Sequence, residues 1–137
     1  MKMNITEWAV HHIKQKDQVK RDLVSFKEEE DKVVCEYKLG LVIYYCKENL
    51  ELDKLKKVAE SESAVFVCEC NEHNFKVLVD NWDLFKTRKE FTFIFLNPGL
   101  AEKWVIKPYI HAKIADPASL KQGLRTMYDT CMGNSKE

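Results

Sequence analysis

The sequence predicts an α/β fold: a single domain with a mixed four- or five-stranded sheet flanked by helices on both faces. Three observations predict it. Two β-rich runs, residues 33–38 and 41–47, flank Leu39-Gly40 and read as a hairpin. Two later runs, residues 64–70 and 91–96, are apolar at both odd and even positions, the pattern of strands covered on both sides. Between them lie segments with apolar residues at helical spacing, and strands alternating with helices imply right-handed crossovers and parallel pairing.

The elements follow in order. Asn4 is a good N-cap, and Glu7 three residues later completes a capping box. Ile5, Trp8, Ala9, His12 and Ile13 make one face of this first helix. Val19, Leu23, Val24 and Phe26 extend it with a drift in phase, and a bend is expected near Lys16-Asp17. In the hairpin, a Leu39-Gly40 turn pairs residues whose numbers sum to 79. Val33, Cys35, Tyr37, Val42, Tyr44 and Cys46 then form an apolar face. Val34, Glu36, Lys38, Leu41, Ile43, Tyr45 and Lys47 form a mixed one. A second helix is expected from about Asn49, carried by Leu52, Leu55, Val58 and Ala59. Asn71 caps a third, carried by Phe75, Leu78, Val79, Trp82 and Phe85. Asn97-Pro98-Gly99 ends the strand before it, and residues 104–106 suggest a short further strand. Asp116-Pro117 starts the last helix, with Leu120, Leu124, Met127 or Tyr128, and Cys131 as its stripe and Gly133 as its stop. The two middle helices are expected on one face, and the N- and C-terminal helices on the other.

Composition narrows the function classes. The 137 residues carry 22 basic and 22 acidic side chains, a net charge of zero. A protein devoted to non-specific nucleic-acid binding normally has a basic excess, because phosphate neutralisation supplies its affinity. Nothing near the N-terminus resembles the apolar core of a signal peptide, and the longest apolar run, residues 39–46, is too short to span a bilayer. The five cysteines are odd in number, mostly within apolar stretches, and form no C-x-x-C pair. The expectation is a cytoplasmic protein of one domain, residues 1–137, with residues 133–137 a flexible tail and no membrane contact.

The standard phosphate loops and the nucleophile-elbow and H-E-x-x-H motifs are absent. Four other constellations carry candidate chemistry. Ligands of open α/β sheets bind beyond the carboxyl ends of the parallel strands, which here points to Glu69, Asn71, His73 and Asn97. Asn71 at a helix N-terminus could present free N–H groups to an anion, and Cys70 there could feel the same dipole. Against that stands the plain role of Asn71 as a cap. Zinc is a weaker reading, because Cys68 and Cys70 lie within a strand with only Cys46 or His73 to join them, so no metal site is expected from them. In the segment from Lys103 to His111, Trp104, Ile106 and Tyr109 either cover a sheet edge or meet a partner, and a homodimer through this region or through the mixed hairpin face is the leading partner expectation. His11-His12 receives no role.

The fourth constellation is Glu36-Tyr37-Lys38, an E-x-K on a strand. It resembles half of the motif of the restriction-endonuclease-like family, and the initial helix and mixed sheet are similar to that fold over about the first half of the chain. The resemblance implies a metal-dependent nuclease: Glu36 holding Mg²⁺ or Mn²⁺, Lys38 near the scissile phosphate, and Glu7 as an additional helical acid. Nucleic acid is a partner only on this alternative. Two departures stand out. The E-x-K lies on the first strand of the hairpin instead of the third of the fold, and no preceding strand supplies the partner Asp. The primary expectation is therefore a protein of binding or assembly type with no catalytic residue or cofactor assigned.

Overall fold

The computed structural model describes residues 4–58, 62–97, 102–114, 116 and 118–133. Helix α1 (Ile5–Lys20) begins at Asn4, whose side chain accepts the Glu7 N–H at 3.1 Å, as the capping-box spacing predicts. It ends at Arg21, a left-handed residue with φ 50° whose N–H caps Asp17 O. The Asp17 side chain then accepts the Leu23 N–H at 2.8 Å and starts a strand the sequence reading had counted as helix.

That strand, β1 (Leu23–Glu28), is followed by β2 (Lys32–Tyr37), β3 (Gly40–Cys46), α2 (Leu52–Lys57), β4 (Ala64–Glu69), α3 (Glu72–Asp80), α4 (Trp82–Phe85), β5 (Phe91–Asn97), β6 (Glu102–Ile106), α5 (Pro108–Ile114) and α6 (Leu120–Met132). The sheet has six strands in the order β1-β2-β3-β4-β5-β6, where four or five were expected. The first three form an antiparallel meander, β3, β4 and β5 run parallel, and β6 returns antiparallel. The hairpin register sums to 77, with Val33 opposite Tyr44 and Tyr37 opposite Gly40. The turn is therefore Lys38-Leu39, and Gly40 closes it at φ 150°, which a side chain would oppose. A shift of two leaves every residue on its predicted face.

Two apolar clusters sandwich the sheet. On one side, Ala9 and Ile13 of α1 pack on Val33, Cys35, Tyr44, Cys46, Val67, Ile94 and Leu96. On the other, Leu55, Phe75, Leu78, Leu124, Tyr128 and Cys131 pack on Ala64, Phe66, Cys68, Phe91, Phe93, Phe95, Trp104 and Ile106. Strands β4 and β5 thus bury alternate residues in opposite clusters, as their two-sided pattern predicts. The C-terminal helix joins α3 on the second face and not, as expected, α1 on the first. The reason is the pairing of its stripe Leu124, Tyr128 and Cys131 with Phe75 and Phe95: Tyr128 stacks on Phe75 at 4.5 Å, and the Cys131 thiol donates to Phe95 O at 3.6 Å. Among the described residues, helix α1 is left alone on its face. It covers only part of it, which creates the cleft described below.

Asn81 breaks the predicted third helix into α3 and α4, its N–H and side chain both bonding to Val77 O. Pro108 opens α5 at a first-turn position, where a segment without regular structure was expected. Gly133 ends α6 with φ 81°. The expected tail beyond it lies outside the described residues. No helix among the described residues is long and apolar enough to cross a membrane.

Candidate functional site

The carboxyl ends of β4 and β5, where the ligand crevice was expected, are closed by the protein's own polar groups. Asn71 caps α3 by accepting the Asn74 N–H at 2.9 Å and donates to Asn49 Oδ1 at 3.0 Å. Asn74 is fully buried; its Oδ1 accepts the Leu50 N–H at 2.7 Å, and its Nδ2 donates to Glu48 O at 2.8 Å and Glu69 O at 2.7 Å. His73 Nε2 lies 3.0 Å from Leu50 O. Asn97 Nδ2 donates to Cys131 O at 2.8 Å. Glu69, Asn71, His73 and Asn97 therefore bind the β3–α2 loop and α6 onto the sheet edge. The Cys70 thiol is not activated: its contact with Cys131 and its burial push its pKa up.

The E-x-K residues are dispersed. Glu36 is exposed on the sheet face away from α1, where Oε1 accepts the Ser25 hydroxyl at 3.3 Å. Lys38 is a turn residue, and not a strand residue projecting beside Glu36. Glu7 sits in the first turn of α1, across the sheet. The strand missing from the sequence reading, β1, precedes the hairpin, so the motif falls on the second strand of the meander. Among the described residues no group of three or more His, Cys, Asp or Glu side chains could hold a metal ion. These residues do not fit Mg²⁺ or Mn²⁺.

Trp104 and Ile106, expected to cover an edge or meet a partner, are 4% exposed, and Trp104 lies 4.9 Å from the Phe95 ring. They belong to the core. Tyr109 is half-buried, with the Lys113 ammonium over its ring at 4.3 Å.

What the fold does leave open is the rest of the face that α1 occupies. Trp8, His12, Lys16 and Lys20 recur every four residues and form one ridge of α1. The ridge faces β6: Lys103 lies 5.8 Å over the Trp8 ring, which stacks on His12 at 4.7 Å. Beyond this contact a cleft of about 650 Å³ opens between the C-terminal half of α1 and the sheet. Its floor includes Tyr44, Val65, Thr92, Ile94 and Val105, and its cations are Lys16, Lys20, Lys103 and Lys107. Asp17, Asp22 and Glu90 also line it, but Asp17 is engaged by the Leu23 N–H.

The electrostatics are mixed: four lysines crowd one another beside the carboxylates of Asp17, Asp22 and Glu90. Burial lowers the Lys16 pKa, and Lys20, Lys107 and Lys103 lower it further, with Asp22 opposing. Burial, Lys103 and Lys16 together bring His12 down to about 4, so its imidazole is neutral at pH 7. Burial raises the Tyr44 phenol to about 12. This cleft lies at the amino ends of the parallel strands, beside Ser63 and Glu90, at the opposite edge from the expected crevice. The sequence reading missed it because Lys16 and Lys20 are some ninety residues from Lys103 and Lys107. The available signal was the four-residue spacing on α1 together with Lys103, Val105 and Lys107 sharing one strand face.

Comparison of the chain with protein-family models, with curated proteins and with solved structures found no match.

Proposed function

We propose that the protein is a binding protein whose ligand is a phosphate-bearing small molecule held in the cleft between α1 and β6. The observation that carries this reading is the convergence of Lys16, Lys20, Lys103 and Lys107 around a cavity of about 650 Å³. Cavities of roughly 300–1,000 Å³ suit small-molecule ligands. Lysines that repel one another are relieved by an anion, and the cost of holding them together in the free protein returns as affinity. Burial first, and then neighbouring cations, hold Lys16 and His12 below their ordinary pKa, so an anion beside them favours their charged forms.

Binding is preferred to metal-dependent cleavage because Glu7, Glu36 and Lys38 are dispersed over two faces and a turn. A cytoplasmic location belongs to the same reading: all five cysteines are free and buried, as a reducing compartment allows.

Isothermal titration with inorganic phosphate, pyrophosphate and AMP tests the proposal. At least one should bind, with affinity lost in Lys16→Glu and in Lys103→Glu while both variants keep the wild-type circular dichroism. Binding of none of the three, or binding unchanged in both variants, would overturn it.

A further inference from the structure

The strand that the helix capping releases, β1, forms one edge of the sheet and is exposed along nearly its whole length. It shows Val24 at 58% and Phe26 at 37% exposure, and it contains no proline. The opposite edge is different. There β6 is followed at once by Pro108, a device that keeps an edge unpaired, whereas a lysine is common to both edges, Lys103 on β6 and Lys27 on β1.

We propose that β1 is the interface of a homodimer in which two copies pair antiparallel and join their sheets into one. The phase of the hydrogen bonds comes from the neighbouring turn. Glu29 donates its N–H to Lys32 O at 2.7 Å, so Glu29, Lys27 and Ser25 turn their backbone groups toward β2. Phe26 and Glu28 turn theirs outward. An antiparallel copy then meets the outward backbone groups of Phe26 and Glu28, with the exposed side chains of Phe26 and of the bulged Val24 at the seam.

Charge selects a second copy as the occupant and antiparallel as the direction. Lys20 and Arg21 precede the strand, and Glu28, Glu29 and Glu30 end it. Antiparallel self-pairing brings the basic end of each copy against the acidic end of the other, twice by symmetry. A parallel copy would set like against like. Val24 is the bulged residue, without a partner on β2, and regular pairing is confined to Ser25–Glu28. An interface this short lies below the roughly 1,200 Å² of a stable standard one, so the dimer forms with rising concentration. The two-fold axis is perpendicular to the sheet, so both α1 helices lie on the same side of the joined sheet.

The experiment is sedimentation velocity over a concentration series at low salt, on the wild type, on E29K/E30K and on K20E/R21E. The wild type should pass from monomer to dimer. Each variant alone should associate about tenfold or more weakly, because both contact points become like-charged. An equimolar mixture of the two should recover dimer, since every contact is again between opposite charges. Unchanged thermal melts of the variants show that they fold. A wild type monomeric throughout, variants that associate as the wild type does, or a mixture that stays monomeric would each overturn the proposal. An edge that serves instead to take up a strand of another protein gives the first of these results.

Discussion

Asn74 is the residue on which the closed end of the sheet depends, and its replacement makes the sharpest test of that account. In Asn74→Ala, the Leu50 N–H and the Glu48 and Glu69 carbonyls lose their side-chain partner at a fully buried position. The Glu48 carbonyl keeps the Glu69 N–H at 3.1 Å. Leaving a buried polar group unpaired costs about 1–3 kcal/mol, so the Leu50 N–H and the Glu69 carbonyl together give a gross figure of about 2–6 kcal/mol. Water entering the space vacated by the amide recovers part of this, and the net expectation is about 2–4 kcal/mol. Asn74→Asp should do no better. It keeps an acceptor for Leu50 but sets a second carboxylate oxygen against two carbonyls that had been receiving N–H groups. The assay is urea unfolding followed by circular dichroism, read as a lower midpoint at unchanged m. Amide exchange at Leu50 and Glu69 should accelerate in the same variant. A loss below about 1 kcal/mol would mean that the loop is held by its apolar contacts alone and that the hydrogen-bond reasoning is wrong.

Two further outcomes follow from burial and charge. Trp104→Ala removes a side chain 4% exposed and should cost about 3–5 kcal/mol, about 10–20 °C in Tm for a chain of this size; a near-neutral melt with altered self-association would return Trp104 to a surface role. His12 titrates near 6.5 when unfolded and about 4 when folded, so the unfolded chain holds more protons between those values. Stability should therefore fall as pH drops from about 6.5 toward 4, and His12→Gln should flatten that part of the pH–stability curve. An acid slope identical in wild type and variant would assign the loss to other groups.

The faces of the strands were legible because a period of two survives errors of register. The hairpin turn was misplaced, yet Val33, Cys35, Tyr44 and Cys46 still fall on the α1 side. The parallel crossovers were legible because strands 64–69 and 91–97 are apolar on both faces. What was not legible was β1. Leu23, Val24 and Phe26 continue the α1 stripe closely enough to pass as helix, and the deciding event is a left-handed Arg21 with an Asp17 side chain bonded to the Leu23 N–H. The phase drift was the visible trace of that break. The side chosen by α6 was equally hidden, since its stripe would suit either face and only the aromatic contact of Tyr128 with Phe75 decides it.

The candidate site escaped for a different reason. A motif search looks for chemistry gathered in a few residues, whereas this cleft arises from an area mismatch. One helix of sixteen residues lies on a face of six strands, and the uncovered part of that face becomes a cavity. Each lysine around it reads in sequence as an ordinary solvated charge. Their shared effect on Lys16 exists only after β6 returns antiparallel beside β5 and carries Lys103 and Lys107 toward the α1 ridge. The expected crevice shows the converse. Asn71, His73 and Asn97 have the residue types of a binding site, but each already has a protein partner and helps to close the fold. The lysines of the cleft, by contrast, are brought together only by the strand order.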